Sequence, residues 1–118
     1  MEQGFVREIH VIRGNFLIIE WSLPLNIIPN VDGTPTFLNL NGEEISFLSN
    51  GTLLASFTPL SSGDGPFQLI FKDNEWFSRF VEKDLSFIDK NIVDYEYIAI
   101  DRDNNPLVTD SGRIIIYE

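Results

Sequence analysis

Short apolar runs with a two-residue period recur along the chain. No stretch of about a dozen residues carries the i, i+3, i+4, i+7 apolar spacing of an amphipathic helix. Residues 15–23 show the alternation most plainly: Leu17, Ile19 and Trp21 share one face, and Glu20 and Ser22 the other. The same β-branched and aromatic signature predicts strands at 5–13, with Phe5, Ile9 and Val11 on one face, and at 36–40, 43–48, 52–58, 67–72, 76–81, 93–101 and 113–117. Gly14-Asn15 turns the chain after the first strand, and Pro24 ends the second because proline cannot donate to a central ladder. Pro29-Asn30 and Asp32-Gly33 mark a loop, and Ser61 to Pro66 a surface loop. Asn41-Gly42 and Asn50-Gly51 are two-residue hairpin signals. Asp73-Asn74 closes 67–72 on 76–81, and Asp101-Arg102-Asp103-Asn104-Asn105 forms a polar turn before the last strand. The expectation is one all-β domain over 1–118, an antiparallel sandwich of about seven to nine strands with an extra hairpin in its middle region.

Two segments sharpen this reading. Trp21-Ser22-Leu23-Pro24, after alternating Leu17 and Ile19, resembles the second strand of fibronectin type III domains, where a Trp-x-x-Pro sits. Residues 87–101, Phe-Ile-Asp-Lys-Asn-Ile-Val-Asp-Tyr-Glu-Tyr-Ile-Ala-Ile-Asp, are similar to that family's penultimate strand in its bacterial form. The resemblance covers residues 15–24 and 67–118. It implies that Tyr95 is a corner tyrosine, that Ala99 points inward and that Ser111 precedes the last strand. The interval from Pro24 to Phe67 exceeds the family's usual connection, so an immunoglobulin-like relative with an inserted hairpin fits equally well. Either parent implies a sandwich and no particular activity.

Composition narrows the function. Hydrophobic residues make up 43% of 118 and charged residues 22%, enough apolar surface for a core. The absence of cysteine removes disulfides, thiolate metal sites and cysteine nucleophiles. Eighteen acidic residues against eight basic ones leave a net charge of -10, which repels nucleic acid phosphates and anionic membrane surfaces. No basic segment followed by an apolar one opens the chain, so it reads as made in the cytoplasm.

Few residues invite chemistry. His10 is the sole histidine and reads as an edge-strand surface residue. Glu43 and Glu44 are adjacent on a strand, point to opposite faces and cannot act as a carboxylate pair. Asp101, Asp103 and Asn105 could supply three oxygens to Ca²⁺. Pro106 and Gly112 stand where an EF-hand needs glycine and glutamate, so an ordinary turn is preferred and no cofactor is expected. Trp76 and Phe77 point opposite ways; core packing is the preferred reading of Trp76, and the alternative is an exposed Trp76 that meets a protein partner or a glycan.

The sequence thus leads to a non-enzymatic structural or binding module. By analogy with free-standing sandwich add-ons, the first expectation is a bacteriophage virion accessory protein, in a capsid decoration, baseplate or tail. It would self-associate or dock on a larger assembly. The alternative is a carbohydrate-binding or adhesive spacer of a secreted bacterial protein, at the cell surface or outside the cell.

Overall fold

A computed structural model describes residues 7–24, 27–29, 35–37, 40–60, 65–83 and 85–118. The described strands are β1 (Arg7–Ile12), β2 (Phe16–Leu23), β3 (Ile27–Pro29), β4 (Pro35–Phe37), β5 (Gly42–Ser49), β6 (Thr52–Phe57), β7 (Phe67–Lys72), β8 (Glu75–Lys83), β9 (Ile92–Ile100) and β10 (Pro106–Tyr117). A five-stranded sheet runs β1-β10-β9-β5-β6, a three-stranded sheet runs β2-β8-β7, and β3 and β4 pair with each other. All pairs are antiparallel except β1 with β10, which run parallel.

The alternation along each strand places the core between the two sheets. Leu17, Ile19, Trp21 and Leu23 of β2 and Phe67 and Phe80 of β7 and β8 face Ile45, Phe47, Val93, Tyr95, Tyr97, Ala99, Ile114 and Ile116 from the larger sheet. Aromatic rings carry much of the packing. Trp21 stacks on Tyr97 with centroids 3.9 Å apart and planes 5° from parallel, while Phe67 meets both rings edge-on. Phe47, Phe57, Phe80 and Phe87 form a second ring cluster, with Phe47 and Phe80 centroids 5.3 Å apart. These contacts place β2 over β9, and β8 over β5 and β6.

Buried Leu85 and Ile88 cap one end of the sandwich. The Arg13 guanidinium fixes them by donating to the Ile88 carbonyl at 2.9 Å and the Leu85 carbonyl at 3.4 Å, while its Nε pairs with Glu118 at 2.9 Å.

Three sequence expectations change. Asn41-Gly42 makes no hairpin: β4 pairs with β3, and Gly42 opens β5 opposite Ile100 of β9. The inserted hairpin is therefore β3–β4. Asn50-Gly51 and Asp73-Asn74 do turn tightly, with φ of 50°, 82°, 54° and 63° in that order. The last strand starts at Pro106 rather than 113, because its inward positions there are Asp110 and Gly112, which no apolar alternation announces. Finally, β1 runs parallel to β10, so the sandwich is not wholly antiparallel. Phe5, the start of the first predicted strand, lies outside the described residues, as do Asn30 and 32–33 of the predicted loop, 38–39 of the third strand and 61–64 of the Ser61–Pro66 loop.

Gly112 is the most tightly enclosed glycine among the described residues. A Cβ there would fall on the Arg7 carbonyl oxygen and 2.6 Å from the Tyr95 ring. The parallel strand β1 and the Tyr95 ring both close over this position, so any side chain forces one of them away. Gly112→Ala should cost about 1–3 kcal/mol, the usual range for overpacking, and lower the thermal midpoint in circular dichroism melts. An unchanged midpoint would contradict this packing.

Candidate functional site

Two buried or half-buried carboxylates organise the polar atoms of the sandwich. Asp110 on β10 lies between the sheets' aromatic groups. Its Oδ2 accepts from Trp21 Nε1 at 2.8 Å, Tyr95 Oη at 2.9 Å and Arg7 Nη1 at 3.1 Å. The hydroxyl of Tyr95 therefore goes to a side chain on the neighbouring strand, and the backbone hydrogen bond of a corner tyrosine is not the one it makes. Burial first, then the hydrogen bond to Asp110, raises the Tyr95 phenol above its ordinary range.

Glu43 on β5 is the deeper of the two, only 6% exposed. It shares its face with Ile45 and Phe47, and that parity carries it inward while Glu44 points to solvent. Its Oε1 accepts from Tyr97 Oη at 2.7 Å and from the Ser78 hydroxyl through a short hydrogen bond. Its Oε2 is buried without a hydrogen-bond partner. Desolvation raises the Glu43 carboxyl above its ordinary value, outweighing the two hydroxyls that favour its charged form. Burial and the Glu43 charge in turn push the Tyr97 phenol up. The sequence singled out Glu43 only to reject it as half of a carboxylate pair. The signal for its inward role was the spacing to Ile45 and Phe47.

The outer face of the larger sheet is different in kind. Glu44 and Ser46 of β5, Glu96 and Ile98 of β9, and Thr109 and Ser111 of β10 line a shallow depression of about 570 Å³. The register aligns Glu44 with Ile98 and Ser46 with Glu96, so carboxylates, hydroxyls and one exposed isoleucine alternate across three strands. Nearby, Asp94 is neutralised by Arg113 at 3.1 Å. This face can present acceptors to a cationic or hydroxyl-rich surface.

The other sequence-predicted residues fall as follows. Trp76 faces inward, is 6% exposed and packs against Phe71, whose ring reaches solvent. Strand parity turns Trp76 into the core, the preferred reading, and puts Phe77 on the outer face, so Trp76 is not placed to meet a partner or a glycan. Asp101 Oδ1 accepts the backbone N–H of Asp103 at 2.9 Å and of Asn105 at 2.8 Å, which folds the turn on itself. Asp103 and Asn105 stay on its exposed rim. Among the described residues no cluster of three or more His, Cys, Asp or Glu side chains could hold a metal ion. His10 is exposed. It accepts at Nδ1 from Tyr117 Oη (2.7 Å) and donates from Nε2 to Glu8 (3.1 Å) in its Nε2-protonated form, tying β1 to β10. No helix among the described residues is long and apolar enough to cross a membrane. No protein-family model matches the chain, and no curated protein matches it in sequence.

The buried glutamate makes stability depend on pH with a definite sign. An unfolded glutamate titrates near about 4.3, and folded Glu43 titrates higher. Its contribution is complete below the unfolded value and is lost as pH rises through the folded one. Glu43→Gln keeps an oxygen for Ser78 and Tyr97 but cannot ionise. Urea unfolding at about pH 4 and about pH 8 should show the variant gaining on the native chain as pH rises. A stability difference independent of pH would contradict the burial of a titrating carboxyl here.

Proposed function

We propose that this chain is a non-enzymatic structural and binding module of immunoglobulin or fibronectin type III-like architecture, serving as an accessory protein of a bacteriophage particle. In an immunoglobulin-type sandwich one sheet contains strands C, F and G and the other B, E and D. The sheets here run β5, β9, β10 and β8 between β2 and β7, which supports that parentage. The tryptophan departs from the antibody pattern, standing on β2 rather than on the strand that corresponds to C.

The observation that carries the functional reading is the filled interior. Stacked and edge-on rings occupy the space between the sheets, so the groups free to meet another molecule lie on outer faces and edges. The outer face of β5, β9 and β10 is the best of these. It offers Glu44 and Glu96 beside hydroxyls, on a chain of net charge -10. Such a face suits a basic protein surface on a pre-formed shell or tail and is repelled by nucleic acid and anionic lipid.

Particles purified by density gradient from cultures that carry the gene test this reading directly. Peptide mass spectrometry should find the chain in the particle band at a fixed ratio to the major shell or tail protein. Recovery in the soluble fraction alone would contradict it.

A further inference from the structure

The charges of this chain are unevenly distributed. From Ile45 to Phe71 the sole charged residue is Asp64, in a chain otherwise dense in acid. That interval contains β6 and β7, one edge strand of each sheet; the other two edges are β1 and β2. The edges share one side of the sandwich, because Phe57 of β6 reaches Phe80 of β8, whose other neighbour is β7. Leu53 on β6 is 57% exposed, and Leu60 and Phe71 are also exposed.

Proteins usually blunt a sheet edge with charge, proline or a bulge, and of these charge and proline bar pairing most directly. β6, Thr-Leu-Leu-Ala-Ser-Phe, has neither. A bulge at Leu54, between the Leu48–Leu53 and Phe47–Ala55 pairs, is its one interruption. Among the described residues no strand pairs with its outer side.

We infer that β6 is the contact through which the chain pairs with a second copy of itself, edge to edge and antiparallel about a two-fold axis. Antiparallel pairing of one strand with its own copy is self-complementary, as an isologous interface requires. It joins the two five-stranded sheets into one and covers Leu53. Charge selects the occupant. Two copies of net charge -10 repel wherever their acidic surfaces meet, and the edge of β6, a strand without a charged residue, is where they approach at least cost. A basic partner would gain nothing from this side and would choose the acidic outer face instead. This inference deepens the reading of the chain as an assembly component.

Light scattering after size exclusion tests it on the full chain, at low and high protein concentration in about 0.05 M and about 0.5 M NaCl. The native chain should dimerise, and more tightly at high salt, where repulsion between copies is screened. Leu53→Lys should weaken dimerisation at least about tenfold while leaving the far-ultraviolet spectrum unchanged, since this side chain is solvent-exposed. Ile12→Lys, on β1 at the opposite edge of the same sheet, should leave dimerisation intact. If Leu53→Lys fails to fold, Thr52→Lys brings the same charge to the same edge. A native chain that is monomeric under all four conditions, a ring larger than a dimer, or a Leu53→Lys protein that dimerises as tightly as the native one would overturn the inference. None of these would remove the chain from a particle band, so the functional reading stands or falls separately.

Discussion

The stack of Trp21 on Tyr97 bridges the two sheets, and each ring is held at its polar end by a carboxylate of the larger sheet. Trp21 Nε1 donates to Asp110, and the Tyr97 hydroxyl donates to Glu43. A buried ring bearing a polar atom needs a partner for that atom, because an unmade hydrogen bond in the interior costs about 1–3 kcal/mol. Here the partners come from strands at two places in the sheet, so satisfying both fixes how β2 lies across β9, β10 and β5. The tight closure at Gly112 follows from the same arrangement. Tyr95 must lie flat against β10 for its hydroxyl to reach Asp110, and that leaves no room for a Cβ at Gly112.

The same arrangement separates interior from surface chemistry. Glu43 and Ser78 are closed off between the sheets, so their hydroxyl and carboxyl groups act on the fold. Glu44, one residue on, opens onto the outer face. The two-residue period of a strand thus sends neighbouring glutamates to opposite sides, one raising a structural demand inside and the other presenting charge at the surface. The surface itself is divided. Its outer face carries Glu44 and Glu96, whereas the β6 edge strand carries no charge, so salt acts on the two in different degree.

Much of the fold was legible in the sequence because β-strands announce themselves by alternation. Leu17, Ile19 and Trp21 point inward as their spacing requires, and Asn50-Gly51 and Asp73-Asn74 turn where positive φ is needed. What was not legible came from side chains whose roles depend on distant partners. Asp110 and Gly112 read as turn residues locally and become inward strand positions only because Trp21, Tyr95 and Arg7 converge on them. Asn41-Gly42 carries a strong hairpin signal, yet Gly42 pairs with Ile100 on β9, a long-range partner that overrides the local preference. Trp76 was read first as a core residue, and its register with Phe71 and Leu23 sets it there.

The hydrogen bond between Trp21 and Asp110 is where the account is most exposed to test. A double-mutant cycle of Trp21→Phe and Asp110→Ala, read by urea unfolding, isolates its coupling from the packing that each substitution also removes. Coupling of about 1.5–3 kcal/mol, the range for a hydrogen bond to a charged group, is the result predicted. Additivity within about 0.5 kcal/mol would contradict the claim that the carboxylates hold the stacked rings and, through them, the two sheets.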